Sequence, residues 1–262
     1  MTIPQDLLRV SLVQTDIVWE NPSANLAILE EKLQMLQGQT DVIVLPEMFN
    51  TGFSMNEQGV EFGKGPTTQW MQVMSKRLQV LLLGSFKFKE GNLFFNRLLA
   101  VEPSGKIHRY DKRHLFRMGA EHEFYAGGQE SIIVPYLGWN IAPFICYDLR
   151  FPVWSRNVNL RYDLAIYVAN WPAARAHAWS TLLKARAIEN LAYVVGVNRT
   201  GEDGNALAYQ GDSAIIHFKG LSLVDMGPMA GIQTQSLSYS DLVQFRTQFP
   251  AYLDADDFEI KL

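Results

Sequence analysis

What this chain has little of constrains it first. Its 262 residues include a single cysteine, so no internal disulfide can form, and a reducing compartment is the natural home of a free thiol. The five histidines, at positions 108, 114, 122, 177 and 217, form neither a His-x-His nor a His-Glu-x-x-His pattern, which argues against a catalytic metal. No run approaches the ~18 apolar residues of a membrane span. The opening Met-Thr-Ile-Pro-Gln-Asp has neither the basic nor the apolar region of a secretory signal. A cytoplasmic protein without a membrane partner is expected. An excess of positive charge is also missing. The formal net charge is −4, and the longest basic cluster, Arg109-Tyr-Asp-Lys-Arg-His114, is interrupted by an acid, so no nucleic-acid footprint is visible. Gly52-Phe-Ser-Met-Asn56 lacks the second glycine of a serine-hydrolase elbow, and no glycine-rich phosphate cradle occurs.

What is present describes one large α/β domain over residues 1–262. Hydrophobic residues make up 48% and charged residues 19%, ordinary values for a globular chain that buries a sizeable core. Apolar patterning predicts strands over 7–13, 41–46 and 80–84, with helices over 24–36 and 66–78 between them. Turn residues at 90–92 and 103–105 predict an antiparallel meander through 83–88, 93–101 and 106–110. The second half repeats this outline: a strand over 139–145, a helix beginning at Pro152, a strand over 164–169, a helix over 178–190 and a strand over 193–197. Strands at 214–218 and 221–224 follow. From about residue 236 the pattern reads as a strand, a short helix and a polar tail.

Three polar residues fall at comparable places. Glu47 ends one buried strand, Lys112 follows the meander, and Cys146 ends another buried strand, where an abrupt polar turn carries Asp148 and Arg150. Ligands collect at the carboxyl ends of strands in open α/β sheets. A carboxylate beside a thiol can take its proton as it attacks a carbonyl and can later activate water. An ammonium and a backbone N–H, such as that of Tyr147, can hold the oxyanion. Spacing alone leaves the bland alternatives open: a buried thiol, a helix-start carboxylate and a solvated lysine. A Cys–His pair using His114 or His177 is the competing arrangement.

Leu45-Pro-Glu-Met-Phe49, Tyr110-Asp-Lys-Arg-His-Leu-Phe116 and Ile145-Cys-Tyr-Asp-Leu-Arg-Phe-Pro152 resemble the three signature blocks of the nitrilase superfamily of carbon–nitrogen hydrolases. Asn170-Trp-Pro172, Ala185-Arg-Ala-Ile-Glu-Asn190, Asn198-Arg199 and Gly211-Asp-Ser213 add to the resemblance, in the family's order. The resemblance is to the omega-amidase branch. It implies a four-layer α-β-β-α sandwich, no cofactor, and hydrolysis of the terminal amide of a small omega-amide such as 2-oxoglutaramate or 2-oxosuccinamate. Glu47 is implied as general base, Lys112 as the cation at the oxyanion and Cys146 as nucleophile. A second acid that positions the lysine is implied at Glu121, seven residues before Gly128, with Glu123 as its competitor.

For other positions two readings stand side by side. Phe53 and Phe116 are pocket wall or core, and Asn170 and Trp171 are pocket lining or packing. Arg150 is a substrate contact or an ion pair that holds the turn. Arg113, Arg117, Arg150 and Arg175 are candidates for binding a substrate carboxylate, whereas Arg186, Glu189 and Asn190 read as structural. The resemblance further implies a homodimer or larger assembly, with residues from about 236 to 262 used in its packing. An aliphatic amidase, a nitrilase, an N-carbamoyl hydrolase and a non-catalytic small-molecule binding protein are the alternatives.

Overall fold

The computed structural model describes residues 4–261. The chain opens on β1 (Leu7–Gln14), crosses through α1 (Pro22–Leu33) and returns parallel to it as β2 (Val42–Val44). Asn21 caps α1 by accepting from the Ala24 N–H, with Pro22 just inside the helix, where its missing N–H costs nothing. A two-residue strand, β3 (Glu61–Phe62), and α2 (Pro66–Leu78) lead to β4 (Leu81–Glu90), again parallel to β2. The expected meander then runs through β5 (Leu93–Val101) and β6 (Ile107–Asp111), and a single helical turn, α3 (Glu121–Phe124), follows.

The second half has the same plan. A hairpin of β7 (Val134–Tyr136) and β8 (Trp139–Ile145) precedes β9 (Leu164–Ala169), α4 (Ala176–Asn190) and β10 (Tyr193–Asn198). Here β8, β9 and β10 are parallel neighbours. A small hairpin, β11 (Thr200–Glu202) with β12 (Ala208–Gln210), leads to β13 (Ala214–Ile216), β14 (Ser222–Asp225), β15 (Gly231–Ser238) and α5 (Tyr239–Gln248). One sheet has the order β15-β1-β2-β4-β5-β6, with β3 beside β4; the other has the order β14-β13-β10-β9-β8-β7.

The two sheets pack face to face and helices cover both outer faces, which makes a four-layer α-β-β-α sandwich. Alternation along the strands produces this arrangement. In β4, Leu81 and Leu83 join the core between the sheets, while Leu82 joins the core under α1 and α2. Trp179, Leu183 and Ala187 of α4 close the opposite side. Because both faces of the central strands are covered, they read as continuous apolar runs.

Two expectations are corrected. No helix begins at Pro152: residues 146–150 form a tight 3-10 turn, and the chain then passes through further turns. Proline disfavours helical backbone in the residue before it, and Phe151 is non-helical at φ −115° and ψ 88°. The last strand begins at Gly231 rather than near 236. It lies at the sheet edge, paired antiparallel with β1 over its whole length, and its mostly exposed polar residues carry little apolar signal.

Gly128 fixes the end of the meander. Its N–H donates to the Lys112 carbonyl at 2.8 Å, and the Lys112 N–H donates to the Asn96 carbonyl at 3.0 Å. A Cβ at position 128 would stand 2.1 Å from the Asp111 carbonyl oxygen, so the backbone can approach this closely only at glycine. Gly128→Ala should therefore destabilise the protein by about 1–3 kcal/mol, the usual cost of forcing extra volume into a packed site, as read from denaturant midpoints.

Candidate active site

Glu47, Lys112, Glu121 and Cys146 meet at the carboxyl ends of β2 and β8, just beyond β6. Lys112 Nζ donates to Glu47 Oε1 at 2.8 Å and to Glu121 Oε1 at 3.0 Å, and its ion pair with Glu121 Oε2 spans 2.9 Å. Each of the three is at most 1% exposed. Glu123 is solvent-exposed, so the acid that reaches the lysine is Glu121. Glu121 Oε2 also accepts from the Phe116 N–H, at 2.6 Å. The remaining Glu47 oxygen accepts the Asn170 N–H at 2.8 Å, and the Asn170 side chain donates back to the Glu47 carbonyl. Glu47 thus ties the first sheet to the loop after β9 in the second.

Electrostatics grade these groups. Burial would lower the Lys112 ammonium, but Glu121 and Glu47 outweigh it and hold the group above the ordinary lysine value. Burial raises the Glu121 carboxyl; Lys112 opposes that shift and Glu47 reinforces it. Burial also pushes the Cys146 thiol well above its usual range, and the Glu47 carboxylate pushes the same way against Lys112. The resting sulfur is therefore a protonated thiol facing a carboxylate. Cys146 has φ 43°, and Met48, next to Glu47, has φ 42°. Left-handed backbone costs a non-glycine residue about 1–3 kcal/mol and persists only where surrounding structure holds it.

At Cys146 that support is visible. The fully buried Asp148 carboxylate accepts from Ile145 N at 3.0 Å, Tyr110 Oη at 2.7 Å, and His114 N and Nδ1 at 3.0 and 2.8 Å. It joins the segments on either side of Lys112 and Cys146. Arg186 of α4 donates to the Leu149 carbonyl at 2.6 Å and pairs with Glu189, and Asn190 accepts from Asn157 N; all three brace the scaffold. His114 is engaged with Asp148 and stacked on Phe151 at 3.8 Å, and His177 is exposed on α4. The Cys–His arrangement is thereby set aside.

Cys146 lies at the wall of a cavity of about 500 Å³. Tyr147, Phe53, Phe116, Arg150, Asn170 and Trp171 all line it, as does Arg175. The Phe53 ring centroid is 5.1 Å from Lys112 Nζ, the Arg150 guanidinium stands 4.9 Å over Trp171, and that of Arg175 stands 5.2 Å over Phe116. Arg113 and Arg117 lie outside this cavity, which leaves two of the four candidate arginines on its wall. The Tyr147 N–H belongs to the first turn of a 3-10 helix, where N–H groups lack carbonyl partners of their own helix.

Sequence reasoning missed Asn96. Its side chain donates to Glu47 Oε1 at 2.7 Å and to Glu121 Oε1 at 3.3 Å, so it helps hold the two carboxylates together. The available signal was a lone amide within the apolar strand 93–101. Among the described residues, no group of three or more His, Cys, Asp or Glu side chains is arranged to hold a metal ion, and no helix is long and apolar enough to cross a membrane.

Residues 9–247 match the carbon–nitrogen hydrolase family. The chain belongs to that family. This hydrolase is 46% identical to the omega-amidase YafV of Escherichia coli (strain K12) over 255 residues, covering 97% of this chain and 98% of that protein. It is 30% identical to the 2-oxoglutaramate amidase of Bacillus subtilis (strain 168) over 251 residues, 94% and 96% of the two chains. The crystal structure of XC1258 from Xanthomonas campestris, a CN-hydrolase superfamily protein with an arsenic adduct in its active site, superposes with a TM-score of 0.96 at 44% identity, covering 98% of this chain and all of that one. The protein is thus an amidohydrolase with the nitrilase-type sandwich.

Asn96→Leu tests the amide's part in the cluster. It removes a donor from two buried carboxylate oxygens, a loss worth about 1–3 kcal/mol. Amidase turnover should fall at least roughly tenfold, with near-normal far-UV circular dichroism; undiminished kcat would show that Lys112 alone orders the pair.

Proposed function

We propose that this amidohydrolase cleaves the terminal amide of a small oxo-acid omega-amide, such as 2-oxoglutaramate or 2-oxosuccinamate, through a thioester on Cys146. The observation that carries the reading is the thiol beside Glu47 and Lys112 in one cavity with Arg150 and Arg175. The first group supplies the chemistry, and the arginines supply recognition of a carboxylate. The names of the Escherichia coli and Bacillus subtilis relatives support the same substrate class.

In the first step Glu47 takes the Cys146 proton as the sulfur attacks the amide carbon. Negative charge develops on the carbonyl oxygen and is held by the Lys112 ammonium and the Tyr147 N–H. The tetrahedral adduct collapses as the proton passes from Glu47 to the leaving nitrogen, which departs as ammonia and leaves the thioester. Glu47, again ionised, removes a proton from water as that water attacks the thioester carbon. Collapse of the second adduct breaks the C–S bond as Glu47 returns its proton to the sulfur, and the product leaves as the carboxylic acid with the second water proton, which it then loses to solvent. Glu121 holds Lys112 in place throughout. The raised thiol is consistent with this order, because proton removal is coupled to attack and no free thiolate accumulates.

We further infer that the hydrolase works in the cytoplasm, where its single thiol stays reduced, and that it forms a homodimer or larger assembly. Exposed Phe249, Leu253 and Phe258 support packing of the C-terminal segment, from about residue 236, against a second copy.

Ammonia release from 2-oxoglutaramate, from a simple nitrile and from an N-carbamoyl amino acid tests the substrate class. Turnover of the first far above the others is expected, and preference for either of the others overturns it. Cys146→Ala should abolish turnover with the fold intact, while intact-mass analysis of the wild type mixed with substrate should reveal the acyl adduct. Arg150→Ala and Arg175→Ala should each raise KM for 2-oxoglutaramate, by roughly tenfold or more for the residue that binds its carboxylate, since hydrogen bonds to charged groups are worth about 1.5–3 kcal/mol; unchanged KM in both would exclude them as that site.

A further inference from the structure

One buried cation takes no part in this chemistry. Lys87 of β4 is fully buried and stands opposite Asn96 on β5. Its ammonium donates to Ser54 Oγ at 3.2 Å, to the Asn56 carbonyl at 3.2 Å and to Asn56 Oδ1 at 3.3 Å. Ser54 Oγ donates onward to Glu20 Oε1 at 2.6 Å, and the Asn56 side-chain amide donates to the same oxygen. Two short bridges therefore join Lys87 to the Glu20 carboxylate. Burial holds the Lys87 ammonium down to about 8, and Glu20 is the charge that opposes the shift.

Glu20, Ser54 and Asn56 all line the cavity that holds Cys146. An anionic amide entering that cavity meets a carboxylate on its wall. Inside a cleft with largely apolar walls such a charge is felt across several ångströms. We infer that Lys87 is a specificity-determining residue: its charge, relayed through Ser54 and Asn56, neutralises Glu20 and preserves the cavity's preference for amides that carry a carboxylate. This rests on the proposed anionic substrate. A lysine that only tethered the 53–56 loop, which is also held by the Tyr125 hydroxyl on the Ser54 carbonyl at 2.8 Å, would weaken neutral and anionic amides alike when replaced.

The test compares KM for 2-oxoglutaramate and for the neutral five-carbon amide pentanamide, using the full chain. Lys87→Gln keeps an N–H donor and removes the charge. It should raise KM for 2-oxoglutaramate roughly tenfold, the scale of one uncompensated charge about 10 Å away, and leave pentanamide within about twofold. Adding Glu20→Gln should restore 2-oxoglutaramate binding. Equal weakening of both amides, no change in either, or no restoration overturns the inference. A wild type indifferent to the carboxylate overturns the substrate reading and the inference with it, whereas a wild-type preference that survives Lys87→Gln overturns the inference alone. Should Lys87→Gln not fold, Glu20→Gln alone serves. Leaving Lys87 unopposed should lower the ratio of KM for 2-oxoglutaramate to KM for pentanamide several-fold, and an unchanged ratio overturns it.

Discussion

The Lys112 ammonium, enclosed by Glu47 and Glu121, is the constraint on which the rest of the site depends. Three charges removed from water are tolerable only because each finds an opposite charge and further hydrogen bonds. Their backbones come from three places: the end of β2, the end of β6 and the single turn of α3. Asn96 of β5 satisfies both carboxylates, and Asn170 reaches Glu47 from the other sheet. Loss of one member would strand its partners in low dielectric, so the cluster locks two sheets and five segments at one point.

This lock makes the strained neighbours affordable. Met48 and Cys146 both adopt left-handed backbone, one beside Glu47 and the other at the thiol itself. Asp148 and Arg186 hold the turn that carries Cys146. The thiol then sits on rigid support, neutral and close to a carboxylate, which suits an attack coupled to proton removal. A preformed site of this kind spends no reorganisation at the moment of reaction. Lys87 extends the same logic to the pocket wall, where a second buried ammonium is bridged to a carboxylate through Ser54 and Asn56.

Much of this was legible in the chain, for physical reasons. The strands 42–44, 81–83 and 164–169 are apolar on both faces because sheets and helices cover both, and continuous apolar runs report that burial directly. The meander declared itself through its turn residues. Glu47, Lys112 and Cys146 stood out as polar residues ending apolar elements, and family-like blocks around them supplied roles. The edge strand 231–238 was misplaced because a half-solvated edge carries little apolar pattern. The helix expected from Pro152 failed because a proline can open a helix or merely stiffen a turn, and only the local hydrogen bonds decide. Asn96 and Lys87 were invisible as site residues: their strand supplied no motif, and their partners lie far along the chain.

Local chemistry written along the sequence therefore determined most element types and the alternating burial, since these follow from side-chain polarity and spacing. It also marked Glu47, Lys112 and Cys146 as candidates through their place at the ends of apolar elements and the family-like blocks around them. Tertiary structure alone decided which acid meets the lysine. Glu121 and Glu123 are two residues apart, yet only the fold turns the first inward and leaves the second in water. It also decided which two of four arginines border the cavity and which buried cation stands behind its wall. Such choices depend on contacts across tens of residues, and no local pattern encodes the direction a side chain takes once two sheets have closed over it.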